Sequence, residues 1–170
     1  SKNRMTAETV DLLLALARER EVEDRRRALF AGEAVNETEG RAALHMALRA
    51  RTEDGFATGG KPVHDDVQAV LDRMDAFAAD IAAGRRTGAT GKVFTDVVNI
   101  GIGGSDLGPV MVTEALAHYK THLNLHFMSN VDGDHVMEVL KKVKPETTLF
   151  VVVSKSFTTQ ETLSNATTAK

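Results

Sequence analysis

A hydroxyl-rich segment that follows an apolar run is the part of the sequence best suited to chemistry. The run, Leu149 to Val153, is dominated by β-branched residues and predicts a fully buried strand. Strand, hydroxyl loop and helix in this order are typical of phosphate sites, because a hydrogen bond to a charged oxygen contributes roughly 1.5–3 kcal/mol. The side chains that would donate to a phosphate are Ser154, Lys155, Ser156, Thr158 and Thr159.

A helix is predicted to begin directly after these residues. Glu161 follows Thr158 by three positions, the spacing at which a hydroxyl and a glutamate cap each other's backbone N–H groups. The first turn of a helix has unpaired N–H groups and a partial positive charge, which favour a bound anion. The same residues equally fit a helix start at which the Ser and Thr side chains serve only as caps and turn formers.

A glycine-rich turn precedes this segment, in the stretch VVNIGIGGSDLGP at 97–109. Glycine lets the backbone take positive φ and approach a ligand closely. Ser105 or Asp106 is predicted to cap the following helix, with Pro109 in its first turn. Counted from Gly101, a dinucleotide-binding fingerprint would need its third glycine where Asp106 stands, and a carboxylate there would repel a pyrophosphate. The pattern therefore disfavours nucleotide binding.

The second half of the sequence alternates predicted strands with predicted helices. Strands are predicted at 93–100, 123–128 and 149–153, and helices at 106–119, 134–142 and from 159 onward. Such alternation is typical of a parallel sheet with crossover helices. Ligands bind such sheets beyond the carboxyl ends of the strands, so the glycine turn and the hydroxyl loop are predicted to line one pocket.

The first half is predicted to be helical. Apolar spacing indicates helices over 6–20 and 35–51 and from Pro62 to Ile81, with a glycine-containing surface loop at 51–61. We therefore expect an N-terminal helical extension over 1–91 and the first part of an α/β domain over 92–170. The sequence begins without methionine and stops within a predicted helix, which suggests a piece of a longer protein.

Three groups of residues that resemble metal ligands have simpler interpretations. Asp65 and Asp66 beside His64 are expected to be acids in a helix first turn, where they favour the dipole. The segment NVDGDH at 130–135 lacks the glutamate of a calcium loop and predicts a turn with a helix cap. His45 is interpreted as structural. No metal site is predicted.

Composition limits the classes of function. A formal net charge of −3 disfavours nucleic acid as a partner, because such surfaces are usually basic. The sequence has no cysteine, and therefore no disulfide or thiol chemistry. It contains neither a secretory h-region nor an apolar run long enough to span a membrane. These features are compatible with a cytoplasmic location.

The two loops together, GIGGSDLGP and SKSFTTQET, resemble the phosphoglucose isomerase family, and so do NETEGRAALHMALR and the opening SKNRMT. The resemblance implies a doubly wound, mainly parallel α/β domain of the three-layer, Rossmann-like sugar-isomerase (SIS) type. It also implies that the hydroxyl loop holds the substrate phosphate, with the glycine turn on the second side of the pocket. Ser156 stands where the family commonly has threonine, and serine keeps the hydroxyl group. The residues assigned to phosphate binding are Gly104, Ser105, Ser154, Lys155, Ser156, Thr158 and Thr159.

The implied reaction is the interconversion of glucose 6-phosphate and fructose 6-phosphate in glycolysis and gluconeogenesis, without a cofactor. A proton moves between C2 and C1 through an enediol, which requires a general base and stabilisation of the enediolate. In this family those groups lie later in the chain, so no catalytic residue is assigned here and the segment alone is predicted to be inactive. The resemblance further implies a homodimer in the cytoplasm. The alternative is a non-catalytic regulatory SIS module that binds a sugar phosphate.

Overall fold

The structure, a computed structural model, describes residues 3–170 and divides into two compact units. The first unit ends at Met74 and the second begins at Asp75, so the border falls within one long helix. Among the described residues, no helix combines the length and apolar character needed to cross a membrane.

The first unit contains helices and one small hairpin. Its helices are α1, Ala7–Glu19, α2, Val22–Phe30, and the start of α3, His64–Ala82. Strand β1, Ala57–Thr58, pairs antiparallel with β2, Lys61–Pro62. Both residues between the strands are glycines with positive φ, as a two-residue hairpin turn requires. The surface loop predicted at 51–61 therefore contains a short hairpin, and α3 begins two residues after Pro62.

The helix predicted over 35–51 is also largely absent. Only a short 3₁₀ helix, His45–Arg49, forms there, and the His45 side chain is exposed. Asn36 explains the difference, because its side-chain oxygen accepts from the Glu39 N–H at 3.3 Å and its backbone pairs with Arg41. A side chain that bonds its own backbone in this way stabilises a turn in competition with a helix.

The second unit has a three-stranded parallel sheet, as the alternating pattern predicted. Its strands are β3, Asp96–Ile100, β4, Asn124–Met128, and β5, Thr148–Val152, in the order β4-β3-β5. The helices are α4, Gly104–Ala115, α5, Gly133–Leu140, and α6, Gln160–Thr168. An α/β fold with a parallel sheet is confirmed.

Helices cover both faces of the sheet. Val98 and Ile100 of β3 lie on one face in a buried cluster with Met128, Val136 and Val139, and Ala166 of α6 packs against it. Burying one such side chain contributes roughly 1.5–3 kcal/mol. Side chains alternate along a strand, so the intervening Asn99 lies on the other face, where its side chain reaches the start of α4. Hence α5 and α6 lie on one face and α4 on the other.

Strand β5 is less buried than predicted. It pairs only with β3 within the described residues, so it forms one edge of the sheet. Val151 is 38% exposed, because it lies on the face opposite the buried cluster. The unbroken apolar run therefore predicted a strand correctly, but the prediction that this strand is fully buried was wrong.

Candidate functional site

The glycine turn and the hydroxyl loop leave neighbouring strands at the same end of the sheet. The Val153 N–H donates to the Ile100 carbonyl at 2.8 Å, which joins the ends of β5 and β3. From β3 the chain passes through α4 to one side, and later returns through α5 to β5 on the other side. The gap between β3 and β5 is therefore the topological switch point, where ligands bind in open parallel sheets.

The hydroxyl loop is held together by its own side chains. Ser154 Oγ accepts from the Phe157 N–H at 3.1 Å and lies 3.4 Å from Thr159 Oγ1. Ser156 Oγ lies 2.7 Å from Thr158 Oγ1. Phe157 has a φ of 54°, a left-handed conformation that non-glycine residues rarely adopt. The structure thus brings four of the predicted hydroxyl groups into one tight turn.

The start of α6 differs from the predicted capping box. The N-cap is Thr159, its side chain makes no capping hydrogen bond, and Glu161 is the second helical residue. Thr158 pairs with Ser156 in place of the helix N–H groups. The prediction that Thr158 caps this helix was wrong. As a result, the first-turn N–H groups of α6 are not satisfied by a cap and can serve an anion.

The glycine turn also starts its helix without a side-chain cap. Helix α4 begins at Gly104 after Gly103, which has φ 58° and ψ −123°, a backbone conformation suited to glycine. Ser105 and Asp106 are therefore the second and third helical residues and do not act as the predicted cap. Pro109 is the sixth residue, beyond the first turn, which corrects its predicted position.

Two buried oxygens in these helices have no hydrogen-bond partner within the described residues. They are Asp106 Oδ1 and Thr162 Oγ1, each in the third residue of its helix. Leaving a buried polar atom unpaired costs roughly 1–3 kcal/mol. Unpaired groups of this kind are unusual in native proteins and occur at functional sites.

The structure groups some predicted site residues and separates others. The hydroxyl pairs of Ser154 with Thr159 and of Ser156 with Thr158 stay within the β5–α6 loop, where Lys155 is exposed to solvent. Exposed Gly104 and half-buried Ser105 lie at the start of α4, and α4 and α6 pack on opposite faces of the sheet. A pocket shared by the two loops therefore stays a prediction.

One cavity in the second unit lies away from these loops. It has a volume of about 530 Å³ between the second half of α4 and the start of β4, with Leu116, Tyr119 and Leu125 in its lining. None of the predicted phosphate-binding residues lines it. The chemistry of a phosphate site is therefore found at the loops and not at this cavity.

The segments considered above as metal ligands have the simpler roles. Asp132 is the N-cap of α5, and its carboxylate accepts from the Asp134 N–H at 2.9 Å, which confirms the predicted turn and cap. Asp65 and Asp66 lie in the first turn of α3. Within residues 3–170, no cluster of three or more His, Asp and Glu side chains is arranged to hold a metal ion.

Sequence reasoning missed an ionisable pair at the opposite end of the sheet, formed by buried Asp96 and half-buried His126. His126 Nε2 lies 2.9 Å from Asp96 Oδ1, and Thr95 Oγ1 lies 2.7 Å from Asp96 Oδ2. Burial raises the pKa of Asp96, but hydrogen bonds from His126, Thr95 and Asn124 outweigh it, so the pKa lies below the ordinary value. The available signal in the sequence was an aspartate at the start of an apolar strand. Its partner could not be predicted, because the pairing depends on the register of β3 and β4.

The comparisons with known proteins agree with this arrangement. The family model described as phosphoglucose isomerase matches residues 1–170. The structure is similar to a crystal structure of a glucose-6-phosphate isomerase from Chlamydia trachomatis, with 30% sequence identity and a TM-score of 0.70. The match covers 98% of this chain and 32% of that one, so the chain spans about a third of that isomerase. The chain belongs to the phosphoglucose isomerase family.

Proposed function

We propose that this chain belongs to an enzyme that interconverts glucose 6-phosphate and fructose 6-phosphate, and that the segment described here holds the substrate phosphate. The observation that carries the proposal is the β5–α6 loop, in which four hydroxyls meet the uncapped start of a helix. Family membership and the name of the similar isomerase supply the substrate class.

The hydroxyl loop suits an anion because its hydrogen bonds can be exchanged. Each hydroxyl has one donor and two acceptor lone pairs, so Ser156 and Thr158 can rotate their protons from each other toward phosphate oxygens. The N–H groups of the α6 first turn add fixed donors and a partial positive charge. Lys155 supplies a full positive charge from the same loop. Gly104 and Ser105 would approach from the α4 side of the switch point.

Binding at the phosphate supports a reaction that occurs several atoms away. An anchored phosphate fixes the position of C1 and C2, which lowers the entropic part of the barrier to proton transfer. The transfer itself needs a base and enediolate stabilisation, and we assign neither role to a residue of this chain. The segment alone is therefore expected to be inactive.

The proposal is tested by a coupled assay on the intact protein that carries this chain. We expect interconversion of the two hexose 6-phosphates, and no detectable conversion of free glucose or fructose at the same concentration. The 170-residue segment, assayed in parallel, should show no turnover. Absence of turnover by the intact protein, together with saturable binding of glucose 6-phosphate, would instead support the regulatory SIS module.

We also propose that the intact protein acts as a homodimer in the cytoplasm, within glycolysis and gluconeogenesis. This proposal rests on family membership. Light scattering after size-exclusion chromatography measures the mass of the intact protein directly. A monomeric mass in the concentration range of the activity assay would contradict it.

A further inference from the structure

We propose that Asn99 is a positioning residue for the phosphate site and acts through the backbone of Ser105. The inference rests on the proposed function, because it assigns Ser105 to that site. Asn99 is a half-buried residue of the central strand β3, and its side chain lies on the face that α4 covers.

Pro109 removes one hydrogen bond from the first part of α4. In an α-helix the carbonyl of residue i accepts from the N–H of residue i+4. The partner of the Ser105 carbonyl would be residue 109, which is a proline inside the helix and has no N–H. The helix therefore cannot satisfy the Ser105 carbonyl from within.

A side chain of β3 replaces the missing donor. The Asn99 side-chain amide donates to the Ser105 carbonyl at 3.1 Å. This bond comes from the strand, so it ties the first turn of α4 directly to β3. An oxygen that Pro109 deprives of its helical partner becomes the anchor between the two elements.

Gly101 allows the end of β3 and the start of α4 to approach each other closely. A Cβ atom on Gly101 would lie 2.5 Å from the Ser105 carbonyl oxygen and 2.9 Å from Ser105 Cβ. The first turn of α4 is thus pressed against the end of β3. The hydrogen bond and the close contact together fix Ser105 relative to the switch point, so Asn99 acts on the site through Ser105.

The test is a double-mutant cycle on the intact enzyme with Asn99→Ala and Pro109→Ala. Asn99→Ala leaves the Ser105 carbonyl unpaired, and we expect KM for glucose 6-phosphate to rise about tenfold while kcat changes less than about twofold. Pro109→Ala supplies an N–H to the same carbonyl, so alone it should leave KM within about twofold of the wild-type value. In the double variant the new N–H should return KM to within about threefold of wild type.

The matched control is Asn124→Ala, which removes the same side chain at the opposite end of the sheet. It should leave KM unchanged. Asn99→Val, whose β-branched side chain favours a strand, serves as a second variant without a donor if Asn99→Ala does not fold. An unchanged KM in both Asn99 variants, or a raised KM that Pro109→Ala fails to reverse, would overturn the role of Asn99.

A second readout separates this inference from the proposed function. Inorganic phosphate should raise the Tm of the wild-type protein, and Asn99→Ala should need about tenfold more phosphate for the same rise. Stabilisation of the wild type without isomerisation would remove the isomerase proposal and leave the role of Asn99 testable by phosphate alone. No stabilisation of the wild type would overturn both.

Discussion

The two ends of the three-stranded sheet differ in how far their polar groups are hydrogen-bonded. At the end where the strands begin, Thr95 Oγ1 lies 2.7 Å from Asp96 Oδ2 and 3.0 Å from Thr147 Oγ1, and His126 completes the network. At the end where the strands finish, helices α4 and α6 begin without side-chain caps. There, the buried oxygens of Asp106 and Thr162 have no partner within the described residues.

This difference separates stability from binding. A hydrogen-bonded network around the buried Asp96 carboxylate stabilises the fold, whereas unpaired N–H and O–H donors cost free energy that a bound anion can recover. The Asp106 carboxylate oxygen is an acceptor, so a phosphate dianion does not satisfy it. Side-chain caps are present at the start of α1, from Thr6, and of α5, from Asp132, whereas α2 in the first unit also begins without one. In the second unit, the two uncapped helices are α4 and α6, which follow β3 and β5 on either side of the switch point. Removing polar side chains at the first end should lower the free energy of unfolding, and removing phosphate donors at the second end should mainly raise KM.

The largest effect is expected for Gly101→Ala at the second end. The new Cβ would lie 2.5 Å from the Ser105 carbonyl oxygen, so α4 has to move away from β3. We expect the free energy of unfolding to fall by about 3 kcal/mol and the isomerase activity to be lost. Urea denaturation and the coupled assay measure the two effects.

Gly108→Ala is the matched control, because a Cβ there meets nothing within 4 Å. It should leave stability unchanged or slightly raised, since alanine favours a helix. Equal stability of the Gly101 and Gly108 variants would contradict the close contact between strand and helix.

The double substitution Ser154→Ala with Thr159→Ala tests the binding role of the hydroxyl loop. It removes two phosphate donors and the acceptor for the Phe157 N–H. We expect KM to rise about 10- to 100-fold with kcat changed less, and stability to fall by only about 1 kcal/mol. Thr159→Ser, which keeps the hydroxyl, should keep a KM near that of wild type. If the double variant shows wild-type kinetics, the loop is a turn and helix start only.

The sequence predicted the order of strands and helices in the second unit because that signal is local. Apolar runs that end in glycines or hydroxyl residues predicted the bounds of β3 and β5 to within a few residues. The switch point then followed from general rules for parallel sheets. The hydroxyl loop was found in the same way, since its residues are adjacent in the chain.

Features that depend on neighbours were not predictable from the sequence. Thr159 and not Thr158 is the N-cap of α6, because the Thr158 hydroxyl hydrogen-bonds Ser156 within the folded loop. Exposure of Val151 depends on which elements cover that face of the sheet. The pairing of Asp96 with His126 depends on strand register. The first of these outcomes was decided by a bond within the loop, and the other two by partners distant in the sequence.

A smaller effect is expected at the first end of the sheet, where Asp96 is buried. Its pKa is lowered in the folded state from an ordinary value of 3.8, so its contribution to stability is complete above that value and is lost as pH falls through the folded pKa. The free energy of unfolding should therefore drop from about pH 4 downward. Asp96→Asn should reduce this slope and lower stability near pH 7 by about 1–2 kcal/mol, with KM unchanged.

Glu146→Gln is the control for that titration, since Glu146 is exposed and lies 3.8 Å from Lys92. An exposed pair of this kind contributes little, so the pH dependence of unfolding should stay as in wild type. The comparison of the two ends would fail if Asp96→Asn raised KM as much as the hydroxyl-loop variant.

The smallest effect is expected for Phe157→Gly, which tests whether the second end holds backbone strain as well as unpaired groups. The left-handed conformation costs a non-glycine residue roughly 1–2 kcal/mol, and Phe157→Gly removes this cost. Glycine also lowers the stability by about 0.5–1 kcal/mol, because it has more conformational entropy in the unfolded state. Phe157 is 60% exposed, so little burial is lost. Stability should rise by up to about 1 kcal/mol, measured by thermal unfolding. Phe157→Ala keeps the Cβ and the strain, so it should not stabilise the protein, and equal Tm values for the two variants would show that the loop is not strained.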